Sequence, residues 1–225
     1  MIDTHDITGL VLAGGRGTRM GGIDKGLQLF RGQPLAQHAL ARLAPQVGAL
    51  LLNANRNLDI YAALGRAYSA PVWPDGLAGH IDYAGPLAGF LTGLSHCRTP
   101  WLLTVPCDTP LFAHDLAARL AAAVVRDASQ MAIAATAQDG GGGNDGSSVR
   151  LRPQPVFSLI SIDLLPSLHA FIASGGRKIQ AWALAQHCSV VAFDQPGDTA
   201  QAFFNTNTLA ELQQLEQSDP SEPSA

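Results

Sequence analysis

The sequence predicts an α/β fold built around a largely parallel sheet, and three observations lead to this prediction. Short apolar runs alternate with segments of helical periodicity along nearly the whole chain, which is the pattern of βαβ units. A glycine-rich segment, residues 14–26, directly follows the first apolar run. The chain has 225 residues, 47% of them hydrophobic and 14% charged, which is typical of one sizeable globular domain.

In the N-terminal half, predicted strands and helices alternate. Apolar runs predict strands at residues 7–13, 47–53, 72–73 and 101–105. Helices are predicted between them, because Pro34 is a good first helical residue and apolar residues then recur at spacings of three and four. The first helix places Leu35, Ala36, Ala39, Leu40 and Leu43 on one face, residues 58–64 form a second helix, and a third carries a stripe of Leu87, Phe90, Leu91 and Leu94.

The C-terminal half continues the same fold. Helices are predicted at residues 113–127, 163–174 and 179–185, and strands at residues 131–136, 155–162 and 190–193. A capping box from Thr208 to Glu211 begins a terminal helix. Residues 138–148 contain four successive glycines and predict a flexible insertion within a single domain, residues 1–217. The polar residues 218–225 predict a disordered tail.

Charge and composition disfavour several classes of protein. A net charge of -4 and an isoelectric point near 5.9 disfavour binding to nucleic acid, which requires a basic face. The N-terminal residues lack the basic and apolar regions of a signal peptide, and no apolar run has a membrane-spanning length. The three cysteines form no CxxC pair, so neither a disulfide framework nor a zinc site is indicated. We therefore expect a cytoplasmic protein without a membrane contact, acting as a monomer.

The glycine-rich segment has the composition of a phosphate-binding loop. Glycines let backbone amides approach an anion, and nearby cations add attraction. Four of the 14 lysines and arginines lie in this region: Arg16, Arg19, Lys25 and Arg31. A Walker A loop is excluded because Gly26 follows Lys25, and a dinucleotide fingerprint is disfavoured because its third glycine comes one residue late. The alternative interpretation is a flexible connector that binds nothing.

Polar side chains stand where the predicted parallel strands end, and ligands bind at that edge of such sheets. Asn53 ends the second strand, Asp75 follows the third, and Asp108 follows the fourth between Pro106 and Pro110. A single carboxylate facing a phosphate loop suits Mg²⁺, which completes its shell with phosphates and water. Alternatively, Asp108 is a helix cap or turn residue. Asn53 and Asp75 either read a ribose or base edge or form turns.

Other features leave alternatives open. Gly85, Gly89 and Gly93 recur at a four-residue spacing, which either lets a ligand approach or eases helix packing. Residues 176–178 form either a second anion site or a helix start. The histidines have no metal-binding spacing, and Cys107 lies in no recognised nucleophile motif. A phosphate loop combined with one metal carboxylate therefore favours phosphoryl or nucleotidyl transfer.

With these motifs in place, the sequence resembles the molybdenum cofactor guanylyltransferases, within the wider nucleotidyltransferases that have a Rossmann-like fold. The resemblance extends over nearly the whole chain up to the terminal helix. It rests on seven short motifs in order: Leu12-Ala-Gly-Gly15, Arg19-Met-Gly-Gly22, Asp24-Lys25-Gly26, Asn53-Ala-Asn55, Gly85-Pro-Leu-Ala-Gly89, Pro106-Cys-Asp-Thr-Pro110 and Asn205-Thr-Asn207-Thr208.

The resemblance implies a fold and a reaction. The fold is a Rossmann-like three-layer sandwich of the nucleotide-diphospho-sugar transferase type, with helices on both faces of the sheet. The reaction is transfer of GMP from GTP to molybdenum-molybdopterin, which forms the guanine dinucleotide cofactor and pyrophosphate with the help of Mg²⁺. Partners implied in the same way are proteins that deliver molybdopterin or mature molybdoenzymes.

The same resemblance implies roles for individual residues. Lys25 neutralises the phosphates, Arg19 braces the leaving pyrophosphate, and Asp108 carries Mg²⁺. Asn205 and Asn207 lie near the pterin side or the metal. The residues implied in nucleotide or cofactor binding are Leu12, Ala13, Gly14, Gly15, Gly22, Lys25, Asn53, Asp75, Gly85, Gly89, Asp108, Asn205 and Asn207.

Two other functions stay open from the sequence. A sister enzyme of the same fold uses CTP, and the motif Leu12-Ala-Gly-Gly15 resembles the guanine-using branch because the second glycine makes room for the larger base. A non-catalytic carrier of GTP or pterin is the second alternative. The carrier predicts nucleotide binding without release of pyrophosphate, and it offers no reason for Asp108 at a strand end.

Overall fold

The computed structural model describes residues 1–15, 24–76, 85–138, 150–196, 198–199, 201–206 and 208–218. Its strands are β1 Ile7–Leu12, β2 Leu29–Phe30, β3 Gln33–Pro34, β4 Ala49–Asn53, β5 Val72–Trp73, β6 Trp101–Pro106, β7 Met131–Gln138, β8 Arg150–Ser161 and β9 Cys188–Ala192. Its helices are α1 Leu35–Leu43, α2 Leu58–Arg66, α3 Pro86–His96, α4 Leu116–Asp127, α5 Leu165–Ala173, α6 Ile179–Leu184 and α7 Leu209–Ser218.

Seven of these strands form one sheet in the order β5-β4-β1-β6-β8-β7-β9. The strands β5, β4, β1 and β6 are parallel to one another, and β9 is parallel to β7. Only β8 of this sheet runs antiparallel to its neighbours, β6 and β7. Parallel neighbours require crossover connections, which α1, α2 and α3 supply between β1, β4, β5 and β6. The predicted α/β fold with a largely parallel sheet is confirmed.

Helices cover both faces of the sheet, because successive residues of a strand point to opposite faces. Leu10 and Leu102 pack in a core cluster with side chains of α3, α5 and α6. Their neighbours Val11 and Leu103 pack in a second cluster with side chains of α1, α2 and α4. The terminal helix α7 packs separately against the β2–β3 hairpin. The result is the three-layer arrangement that the family resemblance implies.

The largest differences from the predicted elements lie around β7 and β8. The predicted strand at residues 155–162 is part of the longer strand β8, which begins at Arg150. Gln138, predicted to start the flexible insertion, ends β7 and pairs with Arg150. The rest of that insertion lies outside the described residues. The sequence did not predict these strand ends because they carry a weak apolar signal. They form strands because the backbones of β7 and β8 hydrogen-bond to each other there.

Helix boundaries also shift by a few residues. Helix α4 begins at Leu116, although the periodicity predicted a start at residue 113. Ser218, predicted as the first residue of a disordered tail, is the last residue of α7, and the rest of that tail lies outside the described residues. Ends of helices are the least regular part of their hydrogen bonding, so periodicity alone does not define them.

The hydropathy of the helices and the state of the cysteines bear on two predictions from the sequence. In the part of the chain that the structure describes, no helix has the length and hydropathy needed to cross a membrane. Cys97, Cys107 and Cys188 are free thiols. Burial raises the pKa of Cys188 to about 11, so this thiol stays protonated near neutral pH.

Helix α3 lies close to the sheet because Gly93 has no side chain. A Cβ on Gly93 would overlap the side chain of Leu10 and lie 3.0 Å from Cδ2 of Leu102. We expect Gly93→Ala to lower the free energy of unfolding by about 1–2 kcal/mol, although alanine is the better helix former. Urea unfolding measures this change.

The matched control is Gly76→Ala, because a Cβ on Gly76 meets no atom within 4 Å. We expect the unfolding midpoint of this control to stay close to that of the parent protein. A Gly93→Ala variant as stable as the parent would contradict the close packing of α3 on β1 and β6.

Candidate active site

The carboxyl-terminal ends of β1, β4 and β6 lie side by side at one edge of the sheet. Leu12 is the register partner of Asn53 on β4 and of Pro106 on β6. The pairing continues one residue further. The Ala13 amide donates to the Asn53 carbonyl over 2.8 Å, and the Cys107 amide donates to the Leu12 carbonyl over 3.0 Å. The start of the glycine-rich segment therefore lies next to the residues that follow β4 and β6.

A lysine–aspartate pair lies at this edge. Nζ of Lys25 donates to Oδ2 of Asp108 over 3.2 Å, although the two residues are 83 positions apart. Their side chains are 25% and 18% exposed, so both charges are accessible to a ligand. Partly exposed ion pairs contribute little to stability. The pair is therefore better suited to binding an anion and a cation than to holding the fold together.

The carboxylate of Asp108 fits a Mg²⁺ site. Among the described residues, no group of three or more His, Cys, Asp or Glu side chains is placed to hold a metal ion. Mg²⁺ does not need such a group, since it commonly takes one or two carboxylates together with phosphate oxygens and water. A partly exposed carboxylate beside the Lys25 ammonium group is compatible with that set of ligands.

The chain that follows β9 holds the turn that carries Asp108. The backbone amide and the hydroxyl of Thr206 both donate to the Asp108 carbonyl, over 2.9 and 3.0 Å. The Thr109 hydroxyl donates to Oδ1 of Asn205. Thr206 is buried and was not singled out from the sequence, although it lies within the motif that begins at Asn205. The structure thus places Asn205 beside the turn of Asp108.

Asn53, Asn55 and Asp75 form a second polar cluster at the same edge. Nδ2 of Asn53 donates to Oδ1 of Asp75 over 2.9 Å, and Nδ2 of Asn55 donates to Oδ2 over 2.8 Å. The backbone amide of Asp75 donates in return to Oδ1 of Asn55 over 2.8 Å. Each carboxylate oxygen has two lone pairs, so it can still accept a hydrogen bond from a ligand. Asn55 was missed as a site residue, although the motif at residues 53–55 contains it.

Gly14 lies against this cluster, and Gly15 does not. Nδ2 of Asn55 donates to the Gly14 carbonyl over 3.0 Å. A Cβ on Gly14 would lie 2.8 Å from both Oδ1 of Asn53 and Nδ2 of Asn55, so a side chain here would displace the two amides. A Cβ on Gly15, in contrast, meets no atom of the described residues within 4 Å. Packing against the two asparagines therefore explains Gly14 but not Gly15.

The glycines of α3 serve conformation and packing. Gly85 precedes the helix with φ 59° and ψ −144°, a backbone conformation that other residues rarely adopt. A Cβ on Gly89 would lie 2.5 Å from Cδ2 of Leu12 and 2.7 Å from Oδ1 of Asn53. The space in front of Gly89 is therefore filled by side chains of this chain. Of the two interpretations of the glycine spacing, the structure supports packing at Gly89 and Gly93.

Two further sequence features also have structural explanations. Burial raises the pKa of the Cys107 thiol, and Asp108 raises it further, so the thiol stays protonated and is not a nucleophile.

Nη1 of Arg177 donates to the carbonyls of Ile172 and Gly176, over 3.2 and 2.8 Å. The segment around Arg177 therefore caps the end of α5. This contact favours a helix-related role for the segment over a second anion site.

Most of the predicted site residues come together at this edge. Those that the structure describes are Leu12, Ala13, Gly14, Gly15, Lys25, Asn53, Asp75, Gly85, Gly89, Asp108 and Asn205. Arg19, Gly22 and Asn207 lie outside the described residues, so their roles stay predictions.

Comparison with known proteins assigns the chain to a family. A sequence profile described as "MobA-like NTP transferase domain" matches residues 9–190, which contain every described site residue except Asn205. The chain is also 63% identical over 216 residues to a molybdenum cofactor guanylyltransferase from Acidovorax ebreus, an alignment that covers 96% of this chain and 98% of that relative. The chain belongs to the molybdenum cofactor guanylyltransferase family.

Other members and relatives agree with this assignment. A molybdenum cofactor guanylyltransferase from Bordetella pertussis is 54% identical over 216 residues, covering 96% of this chain and all of that relative (100%). The structure of molybdopterin-guanine dinucleotide biosynthesis protein A from Archaeoglobus fulgidus matches with a TM-score of 0.69 at 20% identity, covering 96% of this chain and 100% of that chain.

A more distant structure shows how widely the fold is shared. The 4-diphosphocytidyl-2C-methyl-D-erythritol synthase from Anaerococcus prevotii matches with a TM-score of 0.71 at 13% identity, covering 96% of this chain and 97% of that chain. At such low identities the structural likeness shows the fold alone. The fold of this chain is therefore one that different nucleotidyltransferases share. The fold alone does not identify the substrate of this protein.

Proposed function

We propose that the protein transfers GMP from GTP to molybdenum-molybdopterin, forming the guanine dinucleotide cofactor and releasing pyrophosphate. Its 63% identity to a named guanylyltransferase supports the reaction. The observation in this chain that carries the proposal is the 3.2 Å contact between Nζ of Lys25 and Oδ2 of Asp108. This contact brings a cation for the phosphates and a carboxylate for a divalent ion to the edge where the glycine-rich segment begins.

The nucleotide is proposed to lie along this edge of the sheet. Backbone groups from Leu12 to Gly15 contact it, and Gly22 allows its close approach. Asn53 and Asp75 hold the guanosine portion, with the remaining lone pairs of Asp75 accepting hydrogen bonds from it. The amides that orient the Asp75 carboxylate are in place in the structure, which supports this role.

The reaction needs alignment and charge neutralisation more than proton transfer. The acceptor is a phosphate monoester whose second pKa is about 6, so it is mostly ionised near neutral pH and needs no general base. One of its oxygens attacks the α-phosphorus of GTP, and the bond from that phosphorus to the oxygen bridging the β-phosphorus breaks. Pyrophosphate leaves with the electron pair. Lys25 and Arg19 are proposed to neutralise the charge that builds on it.

Mg²⁺ is proposed as the divalent ion, held by Asp108. When bound, such an ion neutralises phosphate charge and helps to align the reacting groups. Asn205 and Asn207 are proposed to lie near the pterin side of this site or near the metal, and the contact between Thr109 and Asn205 supports a position of Asn205 close to Asp108. The protein is further proposed to act in the cytoplasm as a monomer, receiving molybdenum-molybdopterin from a delivering protein.

Pyrophosphate release tests the proposed reaction. GTP, CTP and ATP are supplied in turn, each with molybdenum-molybdopterin and with or without Mg²⁺. We expect release only when GTP, the acceptor and Mg²⁺ are all present, and we expect EDTA to abolish it until Mg²⁺ is restored in excess. Preferential use of CTP would contradict the base assignment. Nucleotide binding with no release from any nucleotide would contradict catalysis and favour a carrier.

A further inference from the structure

Both ends of the glycine-rich segment contact the residues that begin helix α2. Gly15 and Asp24 flank residues 16–23 in the chain. Nη2 of Arg56 donates to the Gly15 carbonyl over 3.2 Å, and Nε of Arg56 lies 3.5 Å from Oδ2 of Asp24. One guanidinium group therefore contacts both Gly15 and Asp24. The sequence motifs predicted no role for Arg56 or Asp24.

Two more side chains from the same region hold the Asp24 carboxylate. The Tyr61 hydroxyl donates to Oδ1 of Asp24 over 2.6 Å, and Nδ2 of Asn57 donates to Oδ2 over 2.9 Å. The Asp24 side chain is only 9% exposed, so its negative charge is turned away from the solvent and paired with Arg56. We call Asp24, Arg56, Asn57 and Tyr61 the loop clasp.

Tyr61 is a suitable anchor for this carboxylate. Its side chain is fully buried in the core beneath α2. Burial and the neighbouring Cys107 and Asp24 raise the pKa of Tyr61, so the hydroxyl stays protonated and remains a donor. A Cβ on Gly26 would overlap the Tyr61 hydroxyl, which shows how closely the backbone after Lys25 lies on this ring.

The loop clasp acts directly on the position of Lys25. Asp24 is the residue before Lys25, and Gly26 is the residue after it, so both neighbours of Lys25 are held against Tyr61. The ammonium group of Lys25 is left to point toward Asp108. A lysine whose backbone is held in advance loses less freedom when it binds an anion, which increases affinity for that anion.

We propose that Arg56, Asp24 and Tyr61 are positioning residues: they hold Asp24 beside Gly15 and thereby keep Lys25 in place for a nucleoside triphosphate. This proposal rests on the proposed function only for its class of ligand, a nucleoside triphosphate. It does not require that the protein transfers GMP. Arg56 acts through Gly15 and Asp24, and its guanidinium is not itself the phosphate ligand.

Binding of a non-reacting nucleotide tests the loop clasp. Guanosine 5′-(α,β-methylene)triphosphate with Mg²⁺ is titrated by calorimetry into the parent protein, Arg56→Gln, Asp24→Asn and the double variant. We expect each single variant to weaken binding about tenfold, and the double variant to be no weaker than either single one, since all three break the same contacts. Arg56→Lys is expected to restore only part of the affinity, because an ammonium cannot reproduce the fork of contacts.

The direction in which Asp24→Asn changes the Kd of the nucleotide distinguishes a positioning role of Arg56 from direct phosphate binding by Arg56. If Arg56 were itself a phosphate ligand, Asp24→Asn would release it and binding would tighten or stay unchanged, which would overturn the proposal. Lower melting temperatures with unchanged Kd values in both single variants would also overturn it, because the contacts would then be merely structural. Tyr61→Phe keeps the buried ring and is expected to weaken binding about threefold; an unchanged Kd would remove Tyr61 from the clasp.

A control separates the clasp from a general effect of charge. Arg126 forms an exposed ion pair with Asp127 on α4, with both contacts at 2.7 Å. Arg126→Gln is expected to bind the nucleotide as the parent does, and an equal loss in this variant would overturn the proposal. If the parent protein binds the analogue but releases no pyrophosphate from GTP with the acceptor, the proposed transfer fails while the clasp result still stands.

Discussion

Asp108→Asn is expected to reduce the rate of pyrophosphate release from GTP about 10³-fold. Asparagine keeps the shape of the side chain but removes the negative charge that would hold a divalent ion, and it removes the carboxylate that lies 3.2 Å from Nζ of Lys25. The native ion pair is partly exposed, so its loss is expected to change the free energy of unfolding by less than about 1 kcal/mol. Steady-state kinetics together with circular dichroism and thermal melting measure both effects.

Lys25→Ala is the companion variant. We expect it to lose turnover to a similar extent, because the phosphates opposite Asp108 then lose the positive charge of the Lys25 ammonium group. The matched control for Asp108→Asn is Asp163→Asn. Asp163 follows β8, whose end pairs with the start of β6, so it lies at the opposite edge of the sheet from Asp108. Near-normal turnover in Asp108→Asn or Lys25→Ala, with a native spectrum, would contradict the proposed roles.

Asn53→Asp is expected to destabilise the protein by about 3 kcal/mol near neutral pH and to abolish detectable binding of GTP. Nδ2 of Asn53 now donates to Oδ1 of Asp75 and to the Trp73 carbonyl, over 2.9 and 3.1 Å. An aspartate would place a carboxylate oxygen against these two acceptors. Asn53 is 2% exposed, so solvent would screen the repulsion only weakly.

The effect of Asn53→Asp should depend on pH in a defined direction. Burial and the neighbouring Asp75 are expected to raise the pKa of the introduced carboxyl above its unfolded value of about 3.9. The unfolded state then releases its proton first as the pH rises. The loss of stability therefore develops from about pH 4 upward and is complete above the raised folded-state pKa.

Urea unfolding at several pH values measures this dependence. The control is Asn53→Ala, which removes the same hydrogen bonds without adding a charge and should lose stability by an amount that changes little with pH. Equal stability of Asn53→Asp and the parent protein near neutral pH would show that Asn53 does not hold Asp75 in the way that the structure indicates.

Much of the site follows from simple rules applied to the sequence. The ends of parallel strands share one edge, so residues just after β1, β4 and β6 had to lie near one another. Asn53, Asp108 and the start of the glycine-rich segment all follow such strands, and the structure brings them together at one edge. The contact between Lys25 and Asp108 is consistent with the same reasoning, although no spacing rule predicts its distance.

The residues that hold the site residues were harder to find. Asn55, Thr206 and Arg56 act on backbone carbonyls or on other side chains, and each has an ordinary polar side chain with no motif chemistry of its own. Asn55 and Thr206 lay inside motifs that resembled those of the family, so the signal was available. Arg56 gave no such signal, because Gly15 and Asp24, which it contacts, are distant from it in the sequence.

The amino-acid sequence alone determined the α/β class, the order of the strands along the chain and the sheet edge that carries the polar residues. Apolar periodicity is a local property, and a helix between two neighbouring strands makes those strands parallel. Tertiary structure alone decided that β8 runs antiparallel, that Gly89 and Gly93 serve packing, and that the start of α2 holds Asp24. These outcomes depend on which surfaces meet after the chain folds. Contacts between distant residues set them, and local propensity carries no information about such contacts.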